Sequence, residues 1–240
     1  TRRGVIHRFD VAALSDAVRA RSVVSDADER QVLFTDGRID SPTSVSIGPD
    51  GDLYVADARH NRVTRINDSG DMVLLAGTGI RGFDGDLKSA LNASLNAPNG
   101  VAVASNGDVY IADSGNNRIR VVSAATGMIR TMAGTGESGP SDADDVVLGD
   151  GGPARLARLS MPMDVAIGPD GDIYVADMGH DRVRVIDSTT GIITTIAGEG
   201  RPRSTGDGGP ARRASLAGPI GLALSWSKRE VTVFVAEYLG

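Results

Sequence analysis

One long motif occurs three times in this chain of 240 residues. The copies begin at Pro42 (PTSVSIGPDGDLYVADARHNRVTRI), Pro98 (PNGVAVASNGDVYIADSGNNRIRVV) and Pro162 (PMDVAIGPDGDIYVADMGHDRVRVI). A fourth, partial copy begins at Pro219. Because a long repeat at a nearly fixed period is typical of an array of like structural units, the repeat limits the fold more than any other feature of the sequence.

Each copy has the pattern of four short β-strands. In the first copy these are TSVSIG, LYVAD, RVTRI and MVLLAG, and a Gly-bearing turn (GPDGD) separates the first two. Short Val-, Ile- and Tyr-rich runs between turns, with no helical period, indicate an all-β repeat. A four-stranded sheet cannot bury both faces by itself, so neighbouring sheets must stack around an axis. The predicted fold is a β-propeller.

The repeated prolines divide the predicted propeller into blades within one domain. We predict a partial blade of two strands plus a polar loop at 1–41, full blades at 42–97, 98–161 and 162–218, and a partial blade at 219–240. Two arrangements stay open. The chain ends could pair in one mixed blade and close a four-bladed ring, or the chain could be a fragment with about four blades of a five- or six-bladed propeller. The second is favoured, because the last copy stops before its third strand.

The connections between copies repeat as well. They read GDLKSALNASLNAP, GDGGPARLARLSMP and GDGGPARRASLAGP. We predict that Asp86, Asp150 and Asp207 cap short helical turns whose Ala and Leu side chains lie on a sheet. The acidic run SDADDVVLGD (141–150) lacks the spacing of a calcium loop and is expected to be solvated.

An Asp at the end of the second strand is followed five residues later by an Arg in every full copy. Because the two residues flank the loop between the second and third strands, we expect an ion pair that closes this loop, with a structural rather than catalytic role. The predicted pairs are Asp57 with Arg62, Asp113 with Arg118, and Asp177 with Arg182.

The loop after the second strand resembles the signature of the NHL repeat family. It reads RHNRV at 59–63, NNRI at 116–119 and HDRV at 180–183. The AGTG and GDGG-PA linkers are also similar to those of NHL proteins with long connections, and the resemblance extends from about Pro42 to Glu237. It implies a five- or six-bladed propeller that serves as a binding platform for protein, RNA or glycan partners.

Some relatives of this family by fold are enzymes, namely peptidylglycine amidating lyase, strictosidine synthase and the gluconolactonase-like hydrolases. His60 and His180 share a repeat position, and three histidines can hold a catalytic zinc ion. The middle copy has Asn116 at that position, so no metal site is predicted. No nucleophile elbow or HExxH motif is present, and we predict no catalytic residue and no cofactor. A metal-dependent lyase or hydrolase stays the main alternative function.

Composition narrows the class of partner. The net charge is −6, which disfavours binding that rests on nucleic-acid phosphates. The chain has no cysteine, and no apolar run approaches the roughly 20 residues of a membrane span. The compartment is left unassigned. Aromatic residues are scarce, and four of them occupy one position of the second strand, where we expect packing between blades: Tyr54, Tyr110, Tyr174 and Phe234.

We predict a non-catalytic scaffold that binds a protein partner on the side bearing the linkers and the loops between second and third strands. Loops on a rigid scaffold carry most binding functions. An RNA-binding NHL module is the second alternative, and a small-molecule ligand is left open. The predicted contact residues are His60, Arg81, Phe83, Asn116, Met178, His180 and Arg203.

Overall fold

A computed structural model describes residues 39–140, 143–227 and 230–238 together with the backbone strands His7–Arg8 and Gln31–Val32. The chain divides into two compact units, Thr1–Pro42 and Thr43–Gly240. In the first unit, β1 (His7–Arg8) and β2 (Gln31–Val32) pair antiparallel, with His7 opposite Val32. The remainder of the predicted partial blade at 1–41 lies largely outside the described residues.

The second unit consists of successive antiparallel sheets. The order of strands is β3-β4-β5-β6 in the first sheet, β7-β11-β10-β9-β8 in the second, β12-β13-β14-β15 in the third and β16-β17 in the fourth. The strands are β3 (Pro42–Ile47), β4 (Leu53–Asp57), β5 (Arg62–Ile66), β6 (Met72–Ala76), β7 (Lys88–Ser89), β8 (Pro98–Val103), β9 (Val109–Asp113), β10 (Arg118–Val122), β11 (Met128–Ala133), β12 (Pro162–Ile167), β13 (Ile173–Asp177), β14 (Arg182–Ile186), β15 (Ile193–Ala197), β16 (Pro219–Ser227) and β17 (Glu230–Glu237).

The sheets pack face to face through apolar side chains. One buried cluster joins Tyr54 and Ala56 of the first sheet to Ile111 of the second. The next joins Ala112 of the second sheet to Val175 of the third. Full burial of one such aliphatic side chain stabilises the fold by about 1.5–3 kcal/mol. This stacking of repeated four-stranded sheets confirms the predicted all-β propeller.

The linkers contain short 3-10 helices. In the first two, the leading alanine, Ala90 or Ala154, is buried in a cluster between sheets as predicted, whereas the third helix has no buried residue, so the prediction is wrong there. The helices are Ala90–Asn92, Ala154–Leu156 and Ala211–Arg213. The prediction that an aspartate caps each of them is wrong, because their N-caps are Ser89, Pro153 and Pro210, without a side-chain capping bond. The aspartates of the first two linkers instead bind arginines, as described below.

The aromatic side chains of the second strands differ in burial. Tyr54 and Tyr174 are buried between sheets and Tyr110 is partly buried. Phe234, at the equivalent place in β17, is 58% exposed. The prediction of packing between blades is therefore right for the first three and wrong for Phe234, since no described sheet covers that face of the fourth. Within the described residues, no helix is long and apolar enough to cross a membrane.

Candidate functional site

The repeated aspartate at the end of the second strand is a fully buried hydrogen-bond acceptor. In the second sheet, Asp113 Oδ1 accepts the backbone N–H of Asn96 at 2.7 Å and Oδ2 accepts Asn116 Nδ2 at 2.8 Å. Burial raises the pKa of Asp113, although these hydrogen bonds and Arg120 oppose the shift. Asp177 repeats the arrangement in the third sheet, accepting the N–H of Ser160 at 2.7 Å. Each carboxylate therefore ties its loop to the linker that precedes its sheet.

The arginine that pairs with this aspartate is two residues further along than predicted. Arg120 Nη1 lies 3.4 Å from Asp113 Oδ2, while Arg120 Nη2 lies 2.7 Å from Asp86 Oδ1 in the linker. Arg184 pairs in the same way with Asp177 and Asp150. Both guanidinium groups are fully buried, which is tolerated only because each contacts two carboxylates.

The predicted pair is present in the first sheet, where Arg62 Nε lies 3.9 Å from Asp57 Oδ2. In the other two sheets, the arginine directly opposite the aspartate is engaged elsewhere. Arg118 donates to the carbonyls of Asn116 and Thr135. The reason is geometric: the long side chain continues past the end of the sheet and reaches the linker backbone, whereas Arg120 extends alongside the buried carboxylate.

The two linker-facing arginines have different neighbours. The guanidinium of Arg118 lies 3.7 Å from the centre of the Phe83 ring, a cation–π contact. Arg182 Nε instead donates to Asp145 Oδ1 at 2.9 Å. Burial and the charge of Arg120 lower the pKa of Arg118. Burial pushes the pKa of Asp145 upward, but hydrogen bonds from Arg212 and Arg182 outweigh burial and the pKa lies below its ordinary value.

Parts of the acidic run at 141–150 are thus anchored rather than solvated. Asp145 accepts hydrogen bonds from Arg182 and Arg212, and Asp150 accepts from Arg184 and from the N–H of Thr195. Residues 141 and 142 lie outside the described residues. The expectation of a freely solvated loop is wrong for Asp145 and Asp150, because their partners come from strands and a linker remote in sequence.

The third residue after the repeated aspartate links it to a linker carbonyl. Asn116 Nδ2 donates to Asp113 and also to Gly82 O, at 2.7 Å. In the third sheet, His180 has Nδ1 at 2.8 Å from Asp177 Oδ2 and Nε2 at 2.6 Å from Ser138 O. Asparagine and histidine occupy equivalent places here, because the side-chain nitrogen atoms of each lie within hydrogen-bond distance of the aspartate and of a linker carbonyl. The recurrence of Asn or His at this position is therefore explained by loop anchoring and not by metal binding.

A further repeated contact was not found by sequence reasoning. The loop residue before the third strand has a left-handed backbone, with φ of 51° at Asn61, 53° at Asn117 and 52° at Asp181. Each side chain accepts a backbone N–H from just before the first strand of the next sheet: from Ala97, Met161 and Gly218, at 2.9, 2.8 and 3.0 Å. The repeated Asn or Asp at this position could have indicated the left-handed backbone, since these are the non-glycine residues that best tolerate this conformation.

The predicted contact residues are not equivalent in the structure. Arg81 and Arg203 are exposed, Phe83 is 42% exposed, and Met178 is half-buried. The His60 side chain is 38% exposed and pairs with Asp57. Asn116 is half-buried with its amide nitrogen engaged by two acceptors. His180 is fully buried, so its prediction as a surface contact is wrong.

The loops between second and third strands lie at the edge of each sheet where the linkers begin and end. Part of the first linker, β7, also pairs with the start of β11. The strands are antiparallel, so the second strand ends where the first begins, and the fourth ends where the third begins. Within 39–140, 143–227 and 230–238 no group of three or more His, Asp or Glu side chains lies close enough to hold a metal ion. The arrangement provides anchored loops with an exposed outer surface, which is suited to recognition.

Curated proteins similar to the chain include teneurins. Mouse teneurin-1 is 32% identical over 169 residues, which are 64% of this chain and 6% of the relative. Mouse teneurin-4 is 37% identical over 162 residues, covering 62% of this chain and again 6% of the relative. The Arabidopsis thaliana protein SUPPRESSOR OF QUENCHING 1, chloroplastic, is 31% identical over 158 residues, 62% of this chain and 14% of that protein. The chain thus spans a small part of these relatives.

Solved structures share the fold at low sequence identity. A structural genomics protein of unknown function from Bacteroides thetaiotaomicron matches with a TM-score of 0.63 and 16% identity, over 88% of this chain and 48% of that one. A chain of a nidogen/laminin complex matches with a TM-score of 0.54 and 14% identity, over 88% of this chain and 61% of the other.

A family model decides the relationship. The model described as the teneurin NHL domain matches residues 29–123 and 124–205, which together are most of the chain. The two segments include all three complete copies of the repeat. The chain belongs to the teneurin NHL domain family of NHL-repeat β-propellers.

Proposed function

We propose that this propeller is a non-catalytic interaction module that binds a protein partner through its linkers. The proposal is supported by membership of the teneurin NHL family and carried by one observation: the first two linkers expose large apolar side chains. Concentrations of exposed apolar surface mark interaction sites in soluble domains. The residues are Ile80, Phe83, Leu87 and Leu91 in the first linker, and Val146, Val147, Leu156 and Met161 in the second.

The linker backbone is held in place before any partner arrives. Asn116 donates to Gly82 O in the first linker, and His180 contacts Ser138 O in the second. Arg118 also donates to Thr135 O at the start of the second linker. Fixed loops lose less conformational entropy on binding, so a rigid apolar surface favours affinity.

The proposed contact set follows from exposure. Arg81, Phe83 and Arg203 remain in it, with His60 and Met178 as half-buried neighbours. Ile80 and Val146 join it because they are 70% and 81% exposed. His180 and Asn116 are assigned to anchoring instead.

The test uses the purified chain immobilised at one density and exposed to extracts from its native source. The variant Ile80→Glu/Val146→Glu places charge on the two exposed linker positions, where substitution changes stability by no more than about 0.5 kcal/mol. Val73→Glu is the matched control, because Val73 is also exposed but lies near the start of β6, opposite Arg65 of β5, away from the edge where the linker begins. Bound proteins are quantified by mass spectrometry.

We expect a set of proteins that the wild type and Val73→Glu retain equally and that Ile80→Glu/Val146→Glu loses. Equal retention by all three proteins would contradict the proposal. Loss with Val73→Glu alone would also contradict it, since binding would then involve the other edge of the sheets.

A further inference from the structure

A groove of about 310 Å³ runs along the inner strands of the four sheets and is separate from the linkers. Strands β3, β8, β12 and β16 all contribute to its walls, in which aliphatic residues such as Val103 and Leu224 stand beside polar groups such as Ser44, and most of the surface open to the groove is polar. Concave sites of this volume with a few convergent polar groups are typical of small-molecule binding. Asp164 is the only charged residue among its described lining residues.

The stacking of the inner strands does not require a charged side chain at the position of Asp164. Asp164 Oδ2 accepts the backbone N–H of Leu222 on the next inner strand, at 2.8 Å. Two sheets earlier, the neutral hydroxyl of Ser44 accepts the equivalent N–H of Val101, at 3.2 Å. The same repeat position is Gly100 in the second sheet. A hydroxyl or no side chain at all therefore suffices for the stacking of inner strands.

The carboxylate has hydrogen bonds but no described counter-ion. Its second oxygen accepts the N–H of Val165 at 2.9 Å, and no Lys or Arg among the described residues lies within 4.0 Å of it. Burial raises the pKa of Asp164, and the bonds from Leu222 and Val165 oppose the shift only in part. A carboxylate withdrawn from water without a cation nearby gains most from a cationic ligand.

The single tryptophan of the chain lies further along the same groove. Trp226 follows Leu222 by four residues on β16, which corresponds to about 13 Å along a strand. Its side chain is 56% exposed, so the indole ring is open to a bound molecule. Aromatic rings attract organic cations through cation–π contacts. The groove thus offers an anionic group and, further along, an exposed aromatic ring.

We propose that this groove binds an organic monocation, with its ammonium head at Asp164 and its body extending along the groove toward Trp226. The head supplies the missing countercharge, and the body lies near the exposed indole. The site is independent of the linker surface, so either proposal can fail without the other.

The test is a fluorescence titration, because the chain has one Trp and it lines the groove. Hexylammonium chloride is the probe, and hexanol and sodium hexanoate are matched ligands with the same body and a neutral or anionic head. Ionic strength is held constant with NaCl. We expect a saturable change in Trp226 emission with hexylammonium, at least tenfold weaker binding of hexanol, and still weaker binding of hexanoate.

Asp164→Asn removes the charge at nearly unchanged volume and is expected to weaken hexylammonium binding at least tenfold while leaving hexanol unaffected. Lowering the pH of the wild type provides the same comparison without a substitution, because protonation of Asp164 neutralises the site; binding of hexylammonium, but not of hexanol, should fall. Equal binding of hexylammonium and hexanol, or an unchanged affinity of both Asp164→Asn and the acidified wild type, would overturn the proposal.

Discussion

The ring of His180 lies between the carboxylate of Asp177 and the carbonyl of Ser138. Nδ1 is 2.8 Å from Asp177 Oδ2, and Nε2 is 2.6 Å from Ser138 O. The ring is fully buried, so neither contact can be exchanged for water. An ionised carboxylate and a carbonyl are both acceptors, and both hydrogen bonds form only when each ring nitrogen carries a hydrogen.

Asparagine should replace His180 far better than leucine does. His180→Asn keeps an amide donor for Asp177 and the linker carbonyl, as Asn116 provides for Asp113 and Gly82. His180→Leu fills a similar volume but leaves the buried carboxylate and the carbonyl without this partner. We expect His180→Leu to lower the free energy of unfolding by about 1–3 kcal/mol more than His180→Asn does, measured by urea unfolding at one pH.

The comparison isolates the hydrogen-bonding groups of one residue, because both variants remove the imidazole ring and leave His7 and His60 in place. Equal stability of the two variants would show that the hydrogen bonds of His180 do not hold the linker. A greater loss in His180→Asn would contradict the direction of the effect.

Replacing the buried arginine of the second sheet should lower the free energy of unfolding far more than replacing an exposed arginine. Arg120 is fully buried between Asp113 and Asp86, and Arg120→Met leaves the buried carboxylate of Asp113 without its cation. Removing one partner of such a pair costs about 3–5 kcal/mol. Arg65→Met is the control, since Arg65 pairs with Asp50 and Asp52 with its side chain 45% exposed, and should cost at most about 1 kcal/mol.

Both variants are compared with the wild type by denaturant unfolding at constant ionic strength. Similar losses for Arg120→Met and Arg65→Met would mean that the buried contacts do not hold the linker against its sheet. Restored stability in the double variant Asp113→Asn/Arg120→Met, relative to Arg120→Met, is expected from removal of the uncompensated charge.

The left-handed residue Asn117 allows backbone conformation and side-chain bonding to be separated. Asn117→Asp reproduces the residue found at Asp181 and keeps the acceptor for the N–H of Met161, but it loses the bond that Asn117 Nδ2 donates to Gly136 O, at a cost of about 0.5–1 kcal/mol. Asn117→Gly keeps the conformation but loses both bonds, at a cost of about 1–2 kcal/mol. Asn117→Ala loses both bonds and also adopts a disfavoured conformation, which adds about 1–2 kcal/mol.

Thermal unfolding of the three variants gives the order directly. Equal stability of the Gly and Ala variants would show that conformation contributes nothing at this position. An Asp variant less stable than the Gly variant would show that the third-sheet arrangement cannot be transferred to the second.

The fold could be predicted from the sequence because its determinants are local and repeated. Alternating aliphatic residues and Gly-bearing turns specify strands such as Leu53–Asp57. Because the pattern is repeated, the sheets that these strands form can bury both of their faces by stacking on one another. The apolar side of the linkers was predicted for the same reason: Ala90, Ala93 and Leu95 recur as a pattern, and all are buried.

The partners of the charged side chains were decided only by the tertiary structure. Spacing along the chain made Arg118 the natural partner of Asp113, yet Arg120 takes that place and bridges to Asp86, 34 residues away. The groove with Asp164 likewise arises only when four inner strands come together. Whether a segment forms a strand depends on residues that are neighbours in the sequence. The partner of a long charged side chain depends instead on which carboxylates and carbonyls folding brings within its reach.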